Sequence, residues 1–306
     1  MLINKNGFVL KLLEQHIIPD DVERIRLLEY VLKSISTVLS RNSAKKSIKE
    51  GLLLLDGLKP ETGWYVNPGQ IISIYGNDDR PLKKVFNLPL NILFEDDYLA
   101  VIYKPAGFGV SGNYFRTIEN ALPFNLKPSP LSDKLERPRA AHRLDNQTSG
   151  LLIVAKTQKS RIELGNQFEQ KQVSKVYQAI VIGNLPAAGI IEAPIDGKEA
   201  VTEFKKIQVA NSNRYKHLSL VELKPLTGRT HQLRIHLSGL EHPILGDKLY
   251  AGSHLFFKGK GLFLSAVKLD FIHPIVGNPM HFETGTPAKF LSLLKREQAL
   301  YEKIPG

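Results

Sequence analysis

The sequence predicts an α+β protein: a mainly antiparallel, mixed-sheet domain with flanking helices over residues 81–306, preceded by a small basic α/β domain over residues 1–80. Three observations carry this. Short apolar runs recur through the second part with only two helical stretches between them, too few strand–helix–strand alternations for a parallel sheet. The first part reads instead as two helices and a hairpin. Between them, "YGNDDRPLKKVFNLP" (75–89) is polar and punctuated by proline, the composition of a linker.

Taken in order, Ile25, Leu28, Val31 and Leu32 recur at helical spacing. Ser43 is placed to cap a second helix carrying Lys45, Lys46 and Lys49, which Gly51 ends. Asp56-Gly57 then marks a turn, and "WYVNPGQIISIYG" closes the hairpin, so the core of this domain spans about 20–76. In the second part, strands at 92–94 and 99–103 flank the acidic turn Glu95-Asp96-Asp97, and others follow at 151–155, 175–183, 201–209 and 217–223. Helices are expected at about 157–170 and 230–239, with no internal repeat or low-complexity tract.

Lys and Arg number 41 against 30 Asp and Glu, a net charge of +11. Such an excess favours a polyanionic partner, nucleic acid foremost, although a solvated basic surface is the plainer alternative. With no cysteine, disulfides, thiol nucleophiles and thiolate metal sites are excluded. No signal peptide and no bilayer-length apolar run is read, so the expected compartment is the cytoplasm and no membrane partner is implied.

Three stretches carry candidate chemistry. "AHRLDNQTSGLLIVAK" (141–156) sets Arg143 and Asp145 on a loop entering a buried strand, where an ordinary loop ion pair competes with a reactive carboxylate. "SKVYQAIVIG" (174–183) alternates as a central strand, with Lys175 and Tyr177 on one face. In "TGRTHQLRIHLSGL" (227–240), Thr230 is placed to cap a helix with Leu233, Leu237 and Leu240 as its core stripe. Arg229 lies at its start and Arg234 on its flank, where a guanidinium needs a carboxylate or phosphate partner. No metal site is expected, since His231 and His236 are off the i, i+4 spacing and no HExxH occurs; no nucleotide-binding glycine loop is present either.

Together these stretches resemble the RluA family of pseudouridine synthases. "HRLDNQTSGLLIVAK" is similar to that family's catalytic motif, "KVYQAIVIG" to its K-x-Y-x-A strand and "GRTHQLRIHL" to its arginine-bearing helix. "ILFEDDYLAVIYKPAG", "EHPILGDKLY" and "LFLSAVKLDFIHP" extend the likeness over about 90–290, and residues 20–76 look like the small αL-type RNA-binding domain of many members. Asn146-Gln147, Ser265 and Glu241 depart from the family's pattern without removing a chemical group the reaction needs.

The resemblance implies isomerisation of uridine in RNA to pseudouridine, with no cofactor, no metal and no obligate protein partner. Asp145 is then the catalytic carboxylate, acting either as nucleophile or as base. Tyr177 offers a stacking ring and a hydroxyl, and Arg234 the cation that fixes the carboxylate's direction. Arg143, Lys175, Arg229, Lys45, Lys46 and Lys49 are the expected RNA contacts. Large-subunit ribosomal RNA is the favoured target, with transfer RNA as the alternative and a non-catalytic RNA-binding assembly factor as the competing class.

Overall fold

The computed structural model describes residues 2–3, 9–35, 41–77, 84–252 and 259–303. The chain divides into two compact units, Met1–Lys83 and Lys84–Gly306.

The first unit runs β1 (Leu2–Ile3), β2 (Val9–Ile17), β3 (Ile25–Arg26), α1 (Leu27–Ser34), α2 (Arg41–Glu50), β4 (Leu53–Leu55), β5 (Tyr65–Val66) and β6 (Ile71–Asn77). Four strands pair in the order β1, β2, β6, β4, so the sheet takes in β2, upstream of the 20–76 stretch. Leu27, Tyr30 and Val31 of α1 and Ala44 and Ile48 of α2 bury with Leu53, Leu55, Ile72 and Ile74 in one core. The Asp56-Gly57 turn forms as expected, both residues at positive φ, and the Asp56 carboxylate accepts from Ile71 N–H and Gln70 Nε2 at 2.7 Å each.

Two helix details differ from expectation. Ile25 pairs with Val66 in extended chain, and Leu27 N–H donates to Trp64 O at 2.8 Å, so the helix opens at Leu27 and the buried face rotates onto Leu27, Tyr30 and Val31. Ser43 lies inside α2, which already runs from Arg41, and therefore is not its cap. Gly51 does end α2: at φ +72 its N–H donates to Ile48 O and that of Leu52 to Ser47 O. Glycine takes this left-handed position without the steric cost of a Cβ.

The second unit contains β7 (Asn91–Glu95), β8 (Leu99–Lys104), α3 (Ile118–Asn125), β9 (Lys134–Ala140), β10 (Ser149–Thr157), α4 (Gln158–Glu169) and β11 (Ser174–Ile182). It continues with β12 (Ala188–Glu192), β13 (Val201–Ser212), β14 (Lys216–Pro225), α5 (Gln232–Gly239), β15 (Leu264–Ile272), β16 (Pro279–Glu283) and α6 (Ala288–Glu302). The strand order is β12-β13-β14-β11-β15-β10-β8-β7, with β16 beside β15 and β9 beside β10. Pairing is antiparallel apart from β10 with β15, which makes the sheet mixed but mainly antiparallel.

Helices cover both faces, and the alternation along β10 shows why its run is apolar throughout. Leu152 and Val154 enter a core shared with Leu122 of α3, Leu237 of α5 and Phe290 of α6. Leu151, Ile153 and Ala155 enter the opposite core with Leu164 of α4. Successive strand side chains point to opposite faces, so a strand covered on both sides loses its polar half. Thr157 caps α4, its hydroxyl accepting from Ser160 N–H at 3.2 Å.

Candidate active site

Asp145 stands on the loop of residues 141–148 between β9 and β10, and that loop is clamped from below. Lys104, fully buried at the end of β8, donates through Nζ to Thr148 O at 2.7 Å, Pro105 O at 3.0 Å and Asn146 O at 3.3 Å. Burial lowers its pKa to about 8 against the opposing charge of Asp145. Gly107 N–H adds a bond to Asn146 O at 2.7 Å. Just downstream, Gly150 (φ +123) crosses β15 so closely that a Cβ there would overlap the Ala266 backbone. Only glycine permits that approach.

His142 fixes the loop's other side. Its Nε2 accepts from Ile153 N–H at 3.2 Å, and its ring lies 4.9 Å from that of Phe168. Burial, then the charge of Lys175, lowers its pKa to about 3. The ring is therefore neutral at ordinary pH and carries its proton on Nδ1.

Tyr177 is buried on β11, between β14 and β15, with a register shift in the β15 pairing just before it. Burial, and then Asp145, pushes its phenol pKa above the usual range, so the hydroxyl keeps its proton. Lys175, two residues earlier, is half-buried, its Nζ 5.7 Å from the Phe168 ring centroid; burial lowers its pKa.

Arg234 projects from α5 between two carboxylates. Its Nη1 reaches Asp145 Oδ2 at 3.4 Å, while Nε and Nη2 donate to Asp247 Oδ2 and Oδ1 at 2.7 and 2.8 Å. Burial works against the guanidinium's charge, but the bonds and charge of Asp247, then of Asp145, outweigh it and raise its pKa. For Asp247, burial is likewise outweighed by Arg234 and by the N–H groups of Leu249 and Tyr250, which hold the carboxyl below its usual range. His231 completes the surround: Nε2 lies 3.7 Å from Asp145 Oδ2 and Nδ1 is 2.9 Å from the Tyr250 hydroxyl.

The expected Thr230 cap is not formed. His231 occupies the N-cap position in the left-handed region (φ +56), and α5 begins at Gln232, one residue later than a Thr230 cap requires. The Gln232 side chain bonds Thr227 and Arg229 N–H instead, closing the loop onto itself. Leu240 is exposed, so the buried stripe ends at Leu237.

Asp145, Tyr177, Arg234, Arg143, Lys175 and Arg229 all line one cavity of about 1000 Å³. Arg143 is exposed, and Arg229 is tied through Nε to Glu199 O at 2.9 Å. Lys45, Lys46 and Lys49 are exposed on α2 of the other unit and are not among the lining residues. Among the described residues no cluster of three or more His, Asp or Glu side chains has the arrangement of a metal site. Sequence reasoning missed Lys104, His231 and Asp247. The one visible signal for Asp247 was a carboxylate set in the apolar "HPILGDKLY".

Residues 98–239 match the family model described as RNA pseudouridylate synthase. A ribosomal large subunit pseudouridine synthase D from Vibrio cholerae is 33% identical over 89% of this chain and 92% of its own length. The chain belongs to the RNA pseudouridylate synthase family. A second synthase D, from Xanthomonas campestris, is 31% identical over 94% of each chain. The solved human RNA pseudouridylate synthase domain containing 1 covers 67% of this synthase and 86% of itself at 26% identity and a TM-score of 0.55. The chain is thus an isomerase acting on RNA. The matched span holds Lys104, Asp145, Tyr177 and Arg234, while Asp247 lies beyond it.

Proposed function

We propose that this synthase isomerises a uridine of large-subunit ribosomal RNA in the cytoplasm, with Asp145 as the catalytic carboxylate. The observation that carries this is the Arg234–Asp145 contact at 3.4 Å, at the wall of a cavity that also holds the Tyr177 ring. A carboxylate facing a polyanion is repelled by it, so a pure RNA-binding module gains nothing from such a group.

In the reaction the bond from C1′ to N1 breaks and one from C1′ to C5 forms; C5 gives up a proton and N1 ends protonated. Asp145 either adds to the ribose or removes a proton from it, and both need an ionised, aimed carboxylate. Arg234, itself held by Asp247, supplies the aim. Tyr177 stacks on the uracil and donates from its hydroxyl. The target must leave its stack to enter the cavity, and Arg143 at the rim fills the gap or takes a phosphate. The exposed Lys45, Lys46 and Lys49 of the first unit supply phosphate contacts rather than chemistry.

The resemblance of sequence to the synthase D proteins favours ribosomal RNA over transfer RNA. The test is to incubate the full chain with unmodified transcripts of both RNAs. Pseudouridine is then mapped by carbodiimide adducts that stop reverse transcriptase. A discrete stop on the large-subunit transcript is expected; a stop on transfer RNA alone redirects the target, and none on either contradicts the reading.

A further inference from the structure

A second pocket, of about 410 Å³, opens beside the catalytic loop, lined by Phe108, Gly109, Tyr114, Arg116 and Asn146 with Ala106 and Gly107. Asn146 follows Asp145 directly, so the two pockets are separated by one step of the chain. The aromatic groups are exposed: Tyr114 and Phe115 each at 47%. Beneath them Phe86 lies 5.7 Å from Phe108 and 5.6 Å from Phe115, centroid to centroid. Arg116 sits over Phe86 and Phe108 at 5.7 and 5.9 Å and has no carboxylate partner among the described residues.

The loop that presents them is built, not slack. Ile118 N–H and Glu119 N–H donate to Gly109 O and Val110 O, closing its base. Asn120 Nδ2 holds Phe115 O at 2.9 Å. Tyr114 lies over two glycines. A Cβ on Gly109 would overlap its hydroxyl and come within 2.9 Å of Asn146 Oδ1, and one on Gly112 would meet its ring at 2.7 Å. Glycine at both positions lets the ring settle against the backbone beside the catalytic loop.

We infer that this pocket is a second nucleotide subsite, which stacks a base next to the target uridine on Tyr114 and takes its phosphate on Arg116. A flat ring, a free guanidinium and a rigid floor are the elements of single-strand recognition. Its position one residue from Asp145 matches the need to hold the strand open beside a flipped nucleotide. The inference rests on the reading that RNA enters the first cavity, and it assigns the holding of a neighbouring nucleotide to residues outside that cavity.

The test uses the full chain and an RNA fragment carrying the uridine mapped above, with abasic sites placed in turn at each neighbouring position. Tyr114→Ala is expected to raise the Kd about 5- to 150-fold, the equivalent of about 1–3 kcal/mol for one stacked base. The single-turnover rate at saturating enzyme stays within about two-fold, and Tyr114→Phe restores binding. Gly109→Ala, which evicts the ring, gives the same loss. Arg116→Ala flattens the salt slope of binding by about 0.7, and Arg116→Lys restores it. One abasic RNA weakens the wild type by the Tyr114→Ala factor and the Tyr114→Ala variant no further. Wild-type binding by both alanine variants, or an abasic penalty that adds fully to Tyr114→Ala, overturns the subsite while modification by the wild type stands. No modification by the wild type overturns the parent reading and this one with it.

Discussion

Arg234 grips Asp247 through two short bonds, 2.7 and 2.8 Å, and so presents only its remaining nitrogen to Asp145 at 3.4 Å. Asp247 is fully buried and also accepts from two backbone N–H groups, which makes it the anchor of the arrangement. Asp247→Asn is expected to lower stability by about 3 kcal/mol, since breaking one side of a buried pair leaves the other charge uncompensated. It is also expected to lower kcat at least ten-fold with RNA affinity nearly unchanged, because Arg234 loses its bearing. Denaturant melts and single-turnover kinetics read the two effects; a stable variant with normal kcat would remove Asp247 from the account.

Tyr177→Phe keeps the ring and loses the hydroxyl. Near-normal RNA binding with a severe loss of turnover is expected, whereas Tyr177→Ala also loses about 1–3 kcal/mol of base stacking. Equal turnover for wild type and the Phe variant would show that the hydroxyl has no chemical part.

How much of this was legible follows from where each contact's partner lies. Asp145, Tyr177 and Arg234 each sit in a local pattern, a loop before a strand, an alternating strand and a helix flank, and the structure brings all three to one cavity. The Asp247–Arg234 pair spans a loop whose path the periodicity does not encode, and Lys104 meets carbonyls more than 40 residues away. The same holds for elements. α4 was expected at about 157–170 and forms over Gln158–Glu169, but α3, with Pro123 inside it, went unread. α6 went unread although Phe290, Leu293 and Leu294 stand at helical spacing, a pattern that was there to see.

His142 gives the fold an acid limit. Its pKa falls from an unfolded value near 6.5 to about 3, so between those values the unfolded chain binds a proton that the folded chain does not. Stability is therefore full above about pH 6.5 and is lost as pH falls toward 3, by at most about 5 kcal/mol. His142→Gln retains an acceptor for Ile153 N–H and cannot titrate, so its stability should fall less steeply over pH 6.5–4 than that of the wild type. Identical slopes in urea melts would contradict this.

Replacing Lys45, Lys46 and Lys49 together by alanine should leave single-turnover chemistry on a short RNA intact. Binding to the full transcript should weaken and lose salt dependence, by about 0.7 to 0.9 in log–log slope for each phosphate contact removed. An unchanged slope would mean that α2 presents only a solvated face.

The most direct measurement is the single-turnover rate of Asp145→Asn on the mapped RNA, at enzyme concentrations that saturate binding. The substitution preserves shape and removes the charge that Arg234 directs. Affinity within a few-fold of wild type is expected, with a rate below about one per cent, a barrier increase of more than about 2.7 kcal/mol. A variant that binds normally and keeps more than that rate would contradict the assignment of Asp145 as the catalytic carboxylate.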